Sequence, residues 1–94
     1  MVDHQNIIKL VECYEDDKYM YIVMDFIEDS SDLLEIYMKR QEHMATKENE
    51  LLFPEDQVRT LIFKALKGLY HMHQNKIIHR DIKMGNLLLS GKDQ

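Results

Sequence analysis

The feature that most constrains this chain is a long amphipathic segment that begins at Pro54 and ends near Asn75. Apolar residues recur within it at spacings of three and four, the period of an α-helix with one continuous apolar face: Val58, Leu61, Ile62, Ala65, Leu66, Leu69 and Met72. Pro54 suits the first helical position. The acidic residues Glu55 and Asp56 suit the positive end of the helix dipole. Asn75 is expected to end the helix in a left-handed conformation.

Three residues predict how this helix packs. Phe63 and Tyr70 fall outside the apolar stripe, so we expect the helix to be buried on more than one side. Gly68, in the middle, costs about 1 kcal/mol relative to alanine and therefore indicates close packing.

The residues before the helix predict a strand hairpin. Residues 7–14 and 19–27 are short runs rich in β-branched, aromatic and other apolar side chains, and the polar stretch 15–18 separates them. We interpret the two runs as antiparallel strands. The second run is apolar on both faces, so we expect that strand to be central and buried.

A second, shorter helix is expected to begin after Asp32. Glu35 follows three residues later, which is similar to a capping box. Leu33, Ile36 and Tyr37 then share one face. The helix is expected to fade near His43, and residues 44–50 are polar and aperiodic, which predicts a surface loop.

A highly polar segment, residues 79–86, lies between the apolar runs 77–78 and 87–89, which we interpret as two short strands. A polar loop held between core elements is where a rigid scaffold displays reactive groups. This loop holds an imidazole, two cations, a carboxylate and a carboxamide. A carboxylate beside a lysine can stay ionised and accept a proton. A lysine near a carboxamide could meet a phosphate together with its metal ion.

Composition argues against several classes of function. The chain is 45% hydrophobic and 31% charged, which indicates a globular protein. A net charge of −5 without a basic stripe argues against nucleic-acid binding. No apolar run approaches the roughly 20 residues of a membrane span. Cys13 is the single cysteine, which fits a reducing compartment. We therefore expect an intracellular, cytoplasmic protein with no nucleic-acid or membrane partner.

Histidines on the long helix do not suggest a metal site. His71 and His73 are two residues apart, so they do not face each other on a helix.

The polar segment resembles the catalytic-loop signature of eukaryotic-type protein kinases. The run His79-Arg80-Asp81-x-Lys83-x-x-Asn86 has every fixed residue of that signature in its place. Lysine two residues after the aspartate is the serine/threonine-kinase pattern. Other segments resemble the family in the same order: 4–7 its fourth strand, 21–27 its fifth strand and hinge, 30–33 the start of its fourth helix, and 58–73 its fifth helix.

Two details point to a subfamily or depart from the family pattern. Residues 53–57 and Ile82 look like the never-in-mitosis-related kinases, with calcium/calmodulin-dependent-type kinases close behind. Gln5 replaces the usual proline of the fourth strand, and Asp25 stands where glutamate is commoner.

The resemblance implies a role for each matching residue of the loop. Asp81 would be the catalytic base that accepts the proton of the substrate hydroxyl, and Lys83 would contact the transferred phosphate. Asn86 would hold a magnesium ion. Arg80 would receive a phosphorylated activation loop, and His79 would belong to the internal spine of the domain.

The resemblance also implies an ATP site. Met24 falls at the gatekeeper position, although ordinary core packing fits it equally. Asp25 and Ile27 would offer backbone groups to adenine, and Leu88 would pack beneath it. Asp32 would reach the ribose, although a helix cap is at least as good an explanation.

The fold class expected is therefore α+β, as a fragment of the protein-kinase-like fold. Residues 1–27 would form the end of the N-lobe and the hinge, as a strand hairpin. Residues 28–94 would form the start of the mostly helical C-lobe, through the catalytic-loop hairpin. The chain has no Gly-x-Gly and no Asp-Phe-Gly, so we expect the isolated chain to be inactive as a phosphotransferase.

Two functions remain open from the sequence. The first is an ATP- and magnesium-dependent serine/threonine kinase that transfers phosphate to a protein hydroxyl, of which this chain is a part. The second is a truncated kinase-like protein that acts as a non-catalytic binding or regulatory module.

Overall fold

The computed structural model describes residues 2–44 and 52–94, and it has the expected mixture of strands and helices. The elements in chain order are β1 (Leu10–Glu15), β2 (Met20–Met24), β3 (Ser31–Asp32), α1 (Leu33–His43), α2 (Glu55–Gln74) and β4 (Leu88–Leu89), with 3₁₀ turns at Met84–Asn86 and Gly91–Asp93. β1 pairs with β2 and β3 pairs with β4, both antiparallel. The α+β class is confirmed.

The predicted hairpin is confirmed, with Cys13 opposite Ile22 and Glu15 opposite Met20. Asp16 closes its turn, because one carboxylate oxygen accepts the backbone N–H groups of Lys18, at 2.8 Å, and of Tyr19, at 2.6 Å. These bonds to the charged form lower the pKa of Asp16 below its usual value, with a smaller contribution from the Tyr21 hydroxyl.

The prediction that the second strand is buried is wrong. All five residues of β2 are exposed, and Met24 retains 52% of its accessible surface. A two-stranded ribbon buries a face only when another layer packs on it. Within the described residues no element packs extensively on either face of this hairpin.

Helix α1 begins and ends where the sequence predicts. Asp32 is the N-cap, and its Oδ1 accepts the Glu35 N–H at 2.7 Å, which satisfies one of the free N–H groups of the first turn. Ile36 on the inner face is 6% exposed. Of the predicted loop 44–50, Met44 is a turn residue and residues 45–50 lie outside the described residues.

Helix α2 begins at Glu55, so Pro54 is its N-cap residue and not its first helical residue. The left-handed residue at its other end is Lys76, with φ 63°, and not Asn75, whose φ is −92°. The N–H of Ile77 bonds to the Met72 carbonyl at 2.9 Å and the N–H of Lys76 to the His73 carbonyl at 3.0 Å. This is a Schellman motif, in which the left-handed residue follows the C-cap.

Close packing at Gly68 is confirmed. The N-terminal segment crosses α2 there, and a Cβ on Gly68 would lie 3.2 Å from the Asn6 carbonyl oxygen and 3.4 Å from Ile7 Cγ1. The rings of His4 and His71 meet one turn further along, with centroids 5.0 Å apart.

Burial of α2 on more than one side is not observed. Phe63 is 58% exposed and Tyr70 is 64% exposed. The inner half of the apolar stripe is half-buried, at Leu61, Ala65, Leu69 and Met72, while its outer half is exposed, at Val58, Ile62 and Leu66.

Only one of the two short strands expected around the polar segment exists. Residues 77–78 form no strand, and Leu88–Leu89 form β4. β4 pairs with β3, and the Leu33 N–H donates to the Leu87 carbonyl at 2.8 Å. Leu89 is 4% exposed, and with Ile36 it forms the small apolar core.

A polar network ties the last residues to both helices. The Asp93 carboxylate accepts the Ser90 hydroxyl at 2.9 Å and pairs with Lys64 of α2 at 3.2 Å. Gln57 of α2 donates to the Asp93 carbonyl at 3.3 Å and accepts from Arg40 of α1 at 2.8 Å. The hydrogen bond from Ser90, followed by that from Lys64, lowers the pKa of Asp93 below its usual value.

The cap of α1 is testable by substitution. Asp32→Ala is expected to lower the free energy of unfolding by about 1 kcal/mol, because the Glu35 N–H loses its acceptor. Asp32→Asn keeps a side-chain oxygen at the same place and serves as the matched control. Urea titration followed by helical circular dichroism measures both. Equal losses for Ala and Asn would contradict the capping role.

The Asp93 network predicts a loss of stability in acid. Because the pKa of Asp93 is lower in the folded chain than in the unfolded one, its contribution is present above the unfolded value of about 3.9 and is lost as pH falls through the folded value. We expect Ser90→Ala, which removes the largest cause of the shift, to reduce this acid dependence. The urea midpoint measured between pH 6 and pH 2.5 tests it, and identical profiles for the two chains would refute it.

Candidate active site

The predicted catalytic residues Asp81, Lys83 and Asn86 lie together. The Asn86 Nδ2 amide donates to the backbone carbonyl of Asp81 at 2.8 Å and to its Oδ2 at 3.1 Å. The Lys83 Nζ lies 3.6 Å from the same Oδ2. The Asp81 side chain is 66% exposed and the Lys83 side chain 60% exposed, so both reach solvent. The ion pair therefore adds little stability, but it places a cation beside an accessible carboxylate.

His79 holds the backbone of Asp81 on its N-terminal side. Its Nδ1 accepts the Asp81 N–H at 3.0 Å. Arg80, between the two, has φ 72°, in the left-handed region that residues with a side chain rarely adopt. Such a conformation costs roughly 1–3 kcal/mol, persists only where the surroundings impose it, and is commonest at functional sites. Here Asp81, the residue after Arg80, is held by hydrogen bonds to His79 and to Asn86.

A 3₁₀ turn sets the position of Asn86. Lys83 precedes the turn in an extended conformation, and its carbonyl accepts the Asn86 N–H at 3.0 Å. Leu87 then leads directly into β4, which is paired with β3. The chain after Asn86 is thus anchored to the core. The hydrogen bonds from Asn86 to Asp81 connect Asp81 to the same anchored segment.

The chemistry of this cluster follows from its donors and acceptors. Because the Asn86 amide nitrogen is used on Asp81, its Oδ1 oxygen is left to accept a further donor or a cation. Oxygen ligands of this kind, an amide carbonyl and a carboxylate, are those that magnesium prefers. The residues present therefore fit a magnesium ion at Asn86. In residues 2–44 and 52–94, no group of three or more His, Cys, Asp or Glu side chains is placed to hold a metal.

The segment expected to meet adenine follows β2. The Asp25 N–H donates to the Lys9 carbonyl at 2.9 Å, which extends the hairpin by one bond. Among the described residues, the Asp25 carbonyl and the Ile27 N–H have no hydrogen-bond partner. Met24 lies at the end of β2, opposite Leu10. Asp25 and Ile27 are the two residues whose backbone groups the family resemblance implies would meet adenine.

Asp32 and Leu88, expected at the ribose and beneath adenine, are direct partners across β3 and β4. One oxygen of Asp32 caps α1. Leu88 is 45% exposed, whereas its neighbour Leu89 points into the core. In the described part of the chain, no hydrogen bond or ion pair joins residues 24–27 to residues 79–86.

One residue that shapes this region was not predicted. The Ser30 hydroxyl donates to the Ile27 carbonyl at 2.8 Å, which closes the turn after residues 24–27, and Asp29 within that turn has φ 50°. The signal in the sequence is the run Asp29-Ser30, because such side chains often bond to nearby backbone in turns.

The described residues contain no helix long and apolar enough to cross a bilayer.

Comparison with known proteins gives matches over most or all of the chain. The family model "Protein kinase domain" matches residues 1–94. The chain is 33% identical over 87 residues to "Serine/threonine-protein kinase PLK4" of Nematostella vectensis, covering 93% of this chain and 8% of that protein. It is 33% identical over 91 residues to "Serine/threonine-protein kinase SSN3" of Coccidioides immitis, covering 97% of this chain and 18% of that protein.

A third relative, "Serine/threonine-protein kinase ICK" of Rattus norvegicus, is 32% identical over 92 residues, which is 98% of this chain and 13% of that protein. The chain thus spans less than a fifth of the length of each of these three relatives. Since the family model covers every residue and the fold combines the expected hairpin and helices, the chain belongs to the protein kinase domain family.

Proposed function

We propose that this chain carries the catalytic loop and part of the ATP site of a serine/threonine protein kinase, with Asp81 as the catalytic base. The observation that carries the proposal is how Asp81 is held. Its N–H is bound by His79, its carbonyl and carboxylate by Asn86, and Lys83 lies 3.6 Å from the carboxylate. His79, Lys83 and Asn86 thus surround a single carboxylate that is exposed to solvent.

The reaction proposed is transfer of the γ-phosphoryl group of ATP to a serine or threonine hydroxyl of a protein. Asp81 accepts the hydroxyl proton as the oxygen–phosphorus bond forms and the bond from phosphorus to the ADP oxygen breaks. Lys83, beside Asp81, stabilises the negative charge on the transferred group. The names of the relatives, all serine/threonine kinases, support this acceptor class.

Magnesium, when bound, neutralises the charge of the phosphates. In this chain Asn86 is the residue proposed to hold it, through the Oδ1 oxygen that the Asp81 bonds leave free. The exposed Arg80 side chain is proposed to bind a phosphorylated loop, and His79 to belong to the internal spine.

The ATP base is proposed to lie against the end of the hairpin. The Asp25 carbonyl would accept from adenine and the Ile27 N–H would donate to it, with Met24 and Leu88 as apolar neighbours. The second oxygen of Asp32 would meet the ribose. A cytoplasmic location, where ATP is abundant, is part of this proposal.

A second candidate is a non-catalytic binding module built on the same fold. The observation that favours it is the amount of exposed apolar surface, which includes all of β2 and the outer half of the α2 stripe. Exposed apolar patches of this extent mark interaction surfaces in soluble proteins.

Phosphate transfer by the complete gene product distinguishes the two. Asp81→Asn is expected to lower kcat by about 10²- to 10⁴-fold, because a general base is lost while the shape is kept. The KM for ATP should be unchanged, since Asp81 is not proposed to bind the nucleotide. Transfer of labelled phosphate to serine- and threonine-containing peptides, at saturating magnesium, measures both constants.

Asp17→Asn, in the exposed hairpin turn, makes the same change of charge and is the matched control; it should retain full activity. If the Asp81→Asn variant transferred phosphate as fast as the unsubstituted protein, Asp81 would not be the catalytic base. No transfer by the unsubstituted gene product would favour the binding module.

The left-handed Arg80 backbone gives a prediction of its own. Arg80→Gly should be more stable to urea than Arg80→Ala by up to about 1 kcal/mol, because only glycine adopts φ 72° without steric cost. Both changes remove the same side chain, so the difference reports the backbone alone. An alanine variant at least as stable as the glycine variant would show that residue 80 is not held in this conformation.

A further inference from the structure

The turn that joins β2 to β3 contains one hydrogen bond that the proposed reaction leaves unused. The Ser30 hydroxyl donates to the Ile27 carbonyl at 2.8 Å. Both residues are half-buried, whereas Glu28 and Asp29 between them are exposed. A hydrogen bond that is partly shielded from water is electrostatically stronger than one in open solvent. This bond can therefore fix the position of Ile27 relative to Ser30.

The backbone between these two residues depends on a bond of this kind. Asp29 has φ 50°, in the left-handed region that residues with a side chain adopt uncommonly. Aspartate enters this region more readily than most residues, but it is still not the conformation that a free chain prefers. The turn therefore requires contacts that close it, and the bond from Ser30 to Ile27 spans the left-handed residue.

Ser30 is itself fixed by the residues that follow it. Ser31, the next residue, pairs with Leu89 in the ribbon of β3 and β4. Gln94 Nε2 donates to the Leu89 carbonyl at 3.1 Å and lies 3.5 Å from the Asp29 carbonyl oxygen. The turn is thus attached at its C-terminal end to the same ribbon that leads out of the candidate active site.

Ile27 depends on Ser30 more than on any other residue. The last bond of the hairpin before it is from the Asp25 N–H to the Lys9 carbonyl, at 2.9 Å. Phe26 lies beyond that bond and is 87% exposed. In the described part of the chain, the bond from Ser30 is the one hydrogen bond that Ile27 makes. Without it, the backbone of Ile27 would be held by the chain on either side alone.

We propose that Ser30 is a positioning residue for the nucleotide, because it holds the backbone of Ile27 in the orientation that meets adenine. The inference rests on the proposed function, which places the base at the Ile27 N–H. Ser30 does not contact the nucleotide. Its bond to the Ile27 carbonyl restricts one peptide group of that residue and, across a single Cα, the other. A segment that is already ordered loses less conformational freedom when a ligand binds, so its affinity is higher.

Steady-state and competition kinetics of the complete gene product test the proposal. Ser30→Ala is expected to raise both the KM for ATP and the inhibition constant of adenosine about two- to tenfold, the usual net effect of one hydrogen bond. The kcat at saturating ATP should not change. The inhibition constant of magnesium tripolyphosphate, which has the phosphates of ATP but no base, should not change either.

Two further variants separate base positioning from a general loss of structure. Ser30→Thr keeps the hydroxyl and should return both constants to within about twofold of the unsubstituted protein. Ser31→Ala is the matched control, since it removes the same group from the next residue. Ser31 takes part in the ribbon through its backbone, which alanine keeps, so its constants should also stay within about twofold. Circular dichroism of each variant checks that the fold is retained.

Equal losses of affinity for adenosine and for tripolyphosphate would overturn the proposal, because they would show a general loss of structure. An adenosine constant that Ser30→Ala leaves unchanged would also overturn it, as would an equal rise in Ser31→Ala. A gene product that binds ATP and fails these tests would overturn this inference alone. A gene product that binds no ATP would overturn the proposed function as well.

Discussion

The pairing of β3 with β4 is the interaction on which the rest of this structure depends. Two residues on each side, Ser31 with Leu89 and Asp32 with Leu88, join segments more than fifty positions apart in the chain. The added bond from the Leu33 N–H to the Leu87 carbonyl fixes the start of α1 to the end of the polar segment. The two most buried apolar side chains, Ile36 and Leu89, lie beside this junction. A short ribbon is therefore enough to bring the start of α1 and the polar segment 79–86 together.

The candidate site uses the same bonds for structure and for chemistry. Asn86 holds the Asp81 backbone and side chain through one amide nitrogen, and this leaves its oxygen for a cation. The cost of the left-handed Arg80 is offset by bonds on both sides of it. Such arrangements link the shape of a loop to the residues that react, because a residue that orients its neighbour must itself be held by the core.

Local signals in the sequence predicted most of the secondary structure. The hairpin, the cap of α1 at Asp32 and the close approach at Gly68 each depend on residues near in sequence or on one special residue, and all three are observed. The position of the left-handed residue was wrong by one, because a Schellman motif places it after the C-cap and the choice of Asn75 rested on residue preference alone.

The local sequence pattern could not predict which apolar residues are buried. β2 and the outer half of α2 are apolar enough for a core, yet whether they are covered depends on which elements pack on them, and periodicity does not encode that. For the site, the arrangement of polar groups in residues 79–86 suggested reactive chemistry, but the individual roles came from the resemblance. The hydrogen bond from Ser30 to the Ile27 carbonyl was not predicted, because serine is common in turns of every kind.

Two histidines among the described residues, His4 and His79, each accept a backbone N–H at the ring Nδ1, and this determines the tautomer of the neutral ring. In each, the ring Nδ1 accepts the N–H of the second residue along, from Asn6 to His4 and from Asp81 to His79. A neutral imidazole that accepts at Nδ1 carries its proton at Nε2. Both rings are thereby set as donors toward whatever lies on their far edge, and a partner at either position must offer a lone pair and not a hydrogen.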